Sequence, residues 1–167
     1  MIAFEIKEQK KFMEKLLCTN MFHHFLLEEA VIHSAAAYTI DGHINRAFYN
    51  GNETELTPLS GLDCLPFSML QKQVFSMISG AHTPTAFKLI FRLSPQNMEN
   101  TVRSLDTAFT VHDINGLYLN LHFKEGRLIA TPAVSYCSFS LDRSLEKGWE
   151  KLVRLFLSKN EVPFTED

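Results

Sequence analysis

The chain has 167 residues, 46% of them hydrophobic and 21% charged, with a formal net charge of −3. That is the length of one domain and the composition of an ordinary globular protein, which excludes wholesale disorder. The slight acidic balance gives no global field toward nucleic acid or an anionic membrane, and no segment approaches the ~20 apolar residues of a membrane span.

Ile2, Phe4 and Ile6 alternate with Ala3 and Glu5, the two-residue period of a strand. Phe12, Met13, Leu16 and Leu17 then share one helical face, and Asn20 stops that helix. The segment from His23 to Ala37 carries helix formers such as Leu26 and Glu28 beside strand formers such as Val31 and Ile32. It reads as a strand, because Asp41-Gly42 is a hairpin signal that needs a strand entering it, and His43 to Tyr49 reads as the return strand. Thr54 to Leu59 reads as a short strand within a joint punctuated by Pro58 and Gly61.

A helix starts at Leu65, with Pro66 in its first turn and Met69, Leu70, Val74, Met77 and Ile78 on its apolar side. Phe87, Leu89, Phe91 and Leu93 alternate as a strand, and Ser94-Pro95 opens a helix reaching about Leu105. Leu117, Leu119, Leu121 and Phe123 form a half-buried strand, which Lys124-Glu125-Gly126 turns back into Arg127 to Thr131. Pro132 is expected to break that strand, with another from Val134 to Leu141. Asp142 caps a last helix with the stripe Leu145, Trp149, Leu152, Val153 and Phe156, and Gly148 within it implies close packing. The order strand, helix, strands therefore recurs, with pseudo-halves at about 1–52 and 53–141, a terminal helix at 142–158 and a mobile acidic tail at 161–167. The expected fold is one α+β domain: a largely antiparallel sheet with helices packed on one face and an aromatic-rich core built from 14 phenylalanines.

Few residues offer chemistry. Cys18, Cys64 and Cys137 form no CxxC pair and read as buried free thiols of a reducing cytosol. No GxSxG elbow, GxxxxGK[ST] loop or GxGxxG turn occurs, so no cofactor is expected. His23, His24, Glu28, Glu29, His33 and His43 are the only concentration of metal-ligand types. In a strand, Glu28 and Glu29 face opposite ways, and His24 lies ~13 Å from Glu28. His112-Asp113 precedes Ile114-Asn115-Gly116 and reads as a turn before a strand. Two basic stripes remain as candidate contacts for an anion or partner: Lys7, Lys11 and Lys15 on the first helix, and Arg143, Lys147, Lys151 and Arg154 on the last. Glu8, Glu14, Glu146 and Glu150 lie among them, as on an ordinary solvated helix face.

The stretches FHHFLLEEAVI, YTIDGHINRAFY, FKLIFRLSPQN, DINGLYLNLHF and FSLDRSLEKGWEKLV resemble an uncharacterised family of small proteins from Clostridia-type bacteria, over nearly the whole chain. That resemblance implies a bacterial setting and supplies no activity. The order of IAFEI before KEQKKFMEKLL, and of LPFSMLQKQVFSMISG before FKLIFRL, is similar to the subunit domains of sliding DNA clamps, whose helices present lysines and arginines to DNA. The helices near Gln96 to Leu105 and after Leu141 depart from that pattern, and no functional residue is carried over. The sequence thus reads as a non-enzymatic binding or assembly protein of the cytoplasm, contacting a protein partner or a second copy through a helix stripe or a strand edge. A metal-assisted hydrolase using segment 23–43 and a clamp-like DNA-binding protein are the alternatives.

Overall fold

The computed structural model describes residues 1–167. In chain order it contains β1 (Phe4–Ile6), α1 (Gln9–Cys18), β2 (Phe25–His33), β3 (Ala37–Asp41), α2 (Glu53–Leu56), α3 (Phe67–Ile78), β4 (Ala86–Leu93), α4 (Pro95–Ser104), β5 (Ile114–Lys124), β6 (Arg127–Tyr136), α5 (Ser144–Lys159) and β7 (Phe164–Glu166). All seven strands join one sheet in the order β3-β2-β4-β5-β6-β1-β7, and every neighbouring pair is antiparallel. No strand lies between β3 and α3, so the strand expected to open a second pseudo-half is absent, and all the strands belong to the one sheet. β2 and β3 close one end, β1 and β7 the other, and β4 to β6 lie between.

Alternation along the strands assigns each face. Phe87, Leu89, Phe91 and Leu93 of β4 point inward with Leu117, Leu119 and Leu121 of β5 and Leu128 and Ala130 of β6. Phe12 and Leu16 of α1, Phe67 and Val74 of α3, Val102 of α4, and Leu145, Trp149, Val153 and Leu157 of α5 complete the same buried cluster. Four helices therefore cover one face of the sheet, as the sequence predicts. Trp149 anchors α5 by donating its indole N–H to the Tyr118 carbonyl at 2.8 Å. Leu105 packs where Gly148 has no side chain: a Cβ there would stand 2.9 Å from Leu105 Cδ1.

On the opposite face the residues between the inward ones project: Lys88, Ile90 and Arg92 from β4, and Tyr118, Asn120 and His122 from β5. The excursion from His43 to Leu65 covers part of it. Leu26, Leu59 and Cys64 are buried there, outside the main core.

Several expectations are corrected. Asp41-Gly42 is not a hairpin turn; β2 and β3 are joined through Ser34 to Ala36, with the Ser34 N–H on the Ala36 carbonyl. The segment from His43 to Tyr49 does not return as a strand. Residues 64–66 take the place beside Leu26 and Leu27, so His43 makes one bridge to Cys64 and Arg46–Tyr49 winds into a 3-10 turn. The stretch read as a strand from Thr54 to Leu59 is helical instead, because Asn52 caps it by accepting the Glu55 N–H. β6 runs unbroken through Pro132: β1 pairs β6 only at Ile129 and Ala130, so a proline beyond them sacrifices no bond on that side. Cys18 and Cys137 are exposed, and only Cys64 is buried.

The tail expected to be mobile ends in β7, which lies antiparallel to β1 from Phe164 opposite Ile6 to Glu166 opposite Phe4. Glu166 accepts hydrogen bonds from Arg154 of α5 at 2.5 and 3.2 Å. On β1, Glu5 accepts one from Arg127 at 2.9 Å. Hydrogen bonds from these guanidiniums hold the carboxyls of Glu166 and Glu5 below their ordinary range. A carboxyl with a depressed folded pKa stabilises the fold above its unfolded value, and that contribution fades as pH falls through the folded value. Amide-exchange protection at Thr165 should therefore hold above about pH 4.3 and decline below it, after correction for intrinsic exchange; protection that does not change with pH down to acid unfolding would contradict this coupling.

Candidate functional site

Segment 23–43 does not gather its histidines and glutamates. His23 Nε2 lies 2.9 Å from Gln71 Oε1, Glu29 pairs with Lys88 at 3.0 Å, and His43 sits on Asp41 at 2.6 Å. His33 lies opposite Ala86 on the sheet's open face. No three His, Cys, Asp or Glu side chains converge anywhere in the chain as a metal-binding group. Asp113 accepts the Thr110 N–H at 2.7 Å, so His112-Asp113 belongs to a capped turn entering β5, as the sequence predicts.

The basic stripes are mostly engaged within the molecule. Lys7 pairs with Glu5 at 3.3 Å, Lys11 with Glu8 at 3.2 Å, and Lys15 donates to the Asn160 and Glu161 carbonyls beyond α5. Arg143 pairs with Glu146 at 2.7 Å, and Arg154 is held by Glu166 over the Phe4 ring. Lys147 and Lys151 are exposed and make no ion pair.

A polar cluster that the sequence analysis did not single out lies on the open face. A β-bulge in β2 inserts Glu28, whose carboxylate is 3.9 Å from Arg92. Arg92 stacks 5.6 Å from the Tyr118 ring centroid, and Cys64 is buried beside the group. Glu28 Oε2, Arg92 Nε and Asn120 Oδ1 are buried without hydrogen-bond partners. Burial raises the Cys64 thiol and the Tyr118 phenol above their ordinary values, so both stay protonated at neutral pH. Neither is primed as a nucleophile or base.

The free end of the sheet differs in kind. Ala37-Tyr38-Thr39-Ile40-Asp41 is rich in strand formers and pairs on one side only, with β2. The Gly42 N–H donates to the Glu28 carbonyl, which fixes the alternation of the ladder. Tyr38 and Ile40 then bond toward β2, and Ala37, Thr39 and Asp41 turn their N–H and C=O groups to the open edge. Beside this edge lies a groove of about 610 Å³ between the β2–β3 hairpin and α3, bordered by Ala35, Tyr38, Gln73, Ser76, Met77 and His82. Tyr38 is 43% exposed, and Met69, 46% exposed, shares the helical stripe of Gln73 and Ser76.

Natural sheets blunt their edges with short strands, charge or proline. β7 is three residues long and flanked by Arg154 and Arg127, and the uncovered run of β6 carries Pro132. β3 has neither proline nor lysine, and its one charge is at its last position. Sequence reasoning placed strand formers here but took Asp41-Gly42 as a hairpin turn, which would have covered the edge with a further strand.

The sequence model of a family of unknown function, DUF5721, matches residues 15–165. The chain belongs to DUF5721. No curated protein and no solved structure matches it. The matched span of this DUF5721 chain includes the bulge, the polar cluster, β3 and the groove. No helix is long and apolar enough to cross a membrane.

Proposed function

We propose that this chain is a non-enzymatic binding protein of the bacterial cytoplasm, and that it engages its partner by accepting an extended strand along β3. The observation that carries the reading is the row of outward N–H and C=O groups on Ala37, Thr39 and Asp41, set beside a groove under α3. An added strand would satisfy that row with main-chain hydrogen bonds, and its alternate side chains would fall into the groove or onto the open face. The protonated state of Cys64 and Tyr118 and the divergence of the 23–43 histidines support binding over catalysis. Lys147 and Lys151 are the members of the basic stripes still open to an anionic group on a partner.

Thr39→Pro tests the reading. It removes an N–H that bonds to nothing in the free protein, so folding should be little affected, as is usual for proline on an edge strand. Peptides selected from a random-sequence display library on the wild-type protein should lose at least tenfold in affinity for Thr39→Pro, since each lost bond to a partner leaves a carbonyl unpaired. Equal retention by both proteins would refute strand addition at β3.

A further inference from the structure

Resting on that reading, we infer that the strand added to β3 is β3 of a second copy, forming a two-fold dimer with one continuous sheet. The edge is self-complementary, and the antiparallel register centred on Thr39 is the one that pairs all three of its outward residues. In that register Thr39 faces its own counterpart, and Ala37 faces Asp41 of the second copy. These are the three residues whose backbone groups turn outward, so every outward N–H meets a C=O and every outward C=O an N–H. A shift by one residue would set outward groups against residues bonded to β2 and lose the match.

The side chains agree with the same register. Tyr38 of one copy falls opposite Ile40 of the other on the helical side, an aromatic and β-branched pair of the kind that stabilises antiparallel ladders. Tyr38 is half-exposed in the single chain and lacks such a neighbour on its open side. The Thr39 pair sits on the opposite side, and threonines facing one another are also favourable. Asp41 comes opposite Ala37, so no like charges meet within the segment. Lys72, Gln73 and Ser76 of α3 line the groove beside the seam in each copy. Because the contact uses the same surface twice, it closes at two copies.

Sedimentation equilibrium of the wild-type protein tests the inference. The expected result is a species of twice the 19.1 kDa chain mass that dissociates on dilution. Thr39→Lys sets two ammonium groups face to face across the axis and should abolish that species, with an unchanged circular-dichroism melt of the single chain. Thr39→Val keeps the β-branched shape and should retain it. A wild-type protein of single-chain mass at every concentration would overturn the inference, as would a Thr39→Lys variant that remains double-mass. If the wild type is single-mass but library-selected peptides still discriminate against Thr39→Pro, the second copy is excluded and strand addition stands. If neither behaviour occurs, both fall.

Discussion

Replacing Phe22 by alanine is expected to remove about 3–5 kcal/mol of stability, a large part of what a domain of this size possesses. Phe22 belongs to no helix or strand, yet it is fully buried. Its ring lies 4.7 Å from that of Phe91 on β4, 5.5 Å from those of Phe25 on β2 and Phe156 on α5, and 6.0 Å from that of Phe12 on α1. Two of these contacts, with Phe12 and Phe156, are edge-on, the geometry in which the positive rim of one ring meets the negative face of another. One side chain thus holds two helices to the two strands they cover. Alanine would leave a void bordered by rigid rings that cannot collapse inward, which puts the loss toward the upper end of the range for buried phenylalanines. Phe22→Leu keeps much of the apolar volume and should cost roughly 1–2 kcal/mol. Urea denaturation of the three proteins decides the matter: midpoints that coincide for Phe22→Ala and Phe22→Leu would show that packing around this ring is not what holds the layers together.

Gly42→Ala is the second large effect. A Cβ at this position would stand 1.7 Å from the Leu27 carbonyl oxygen and 2.7 Å from its carbon, both backbone atoms inside the sheet. The chain must move to admit it. Three hydrogen bonds converge there: Gly42 N–H to the Glu28 carbonyl at 2.9 Å, Leu65 N–H to the Gly42 carbonyl at 2.9 Å, and Leu27 N–H to the Leu65 carbonyl at 3.0 Å. Steric displacement combined with loss of one or more of these bonds should cost about 3 kcal/mol or more. For a chain of this length that lowers the melting temperature by on the order of 10 °C. A Gly42→Ala protein that melts within about 2 °C of wild type would mean that the Leu27 backbone yields readily. The substitution also bears on the interaction edge, since Gly42 is where the chain leaves β2 and β3 ends.

Phe22 and Gly42 also mark the limits of the sequence. The half-buried strands β4 and β5 and the amphipathic helices α1, α3 and α5 were legible because burial on one side imposes a period of two or of about 3.6. Phe22 lies between elements, where no period operates, and only the tertiary arrangement shows that its ring is central. Gly42 was misread because aspartate-glycine is usually chosen for turn conformations, whereas here glycine is required by the close approach of another backbone. The same ambiguity hid the free edge, because a hairpin at Asp41-Gly42 would have given β3 a second neighbour. The polar cluster of Glu28, Arg92 and Tyr118 depends on a bulge and on three strands meeting in register, neither of which local composition records.

Trp149 has a practical consequence. It is the chain's single tryptophan, nearly buried, and its indole N–H is committed to the Tyr118 carbonyl. Its fluorescence therefore reports one event, the seating of α5 on the centre of the sheet. Loosening of that helix would expose the indole to water and shift its emission to the red. The far edge at β3 would be optically silent to it, so a single spectrum can separate a variant that disturbs the fold from one that alters only association.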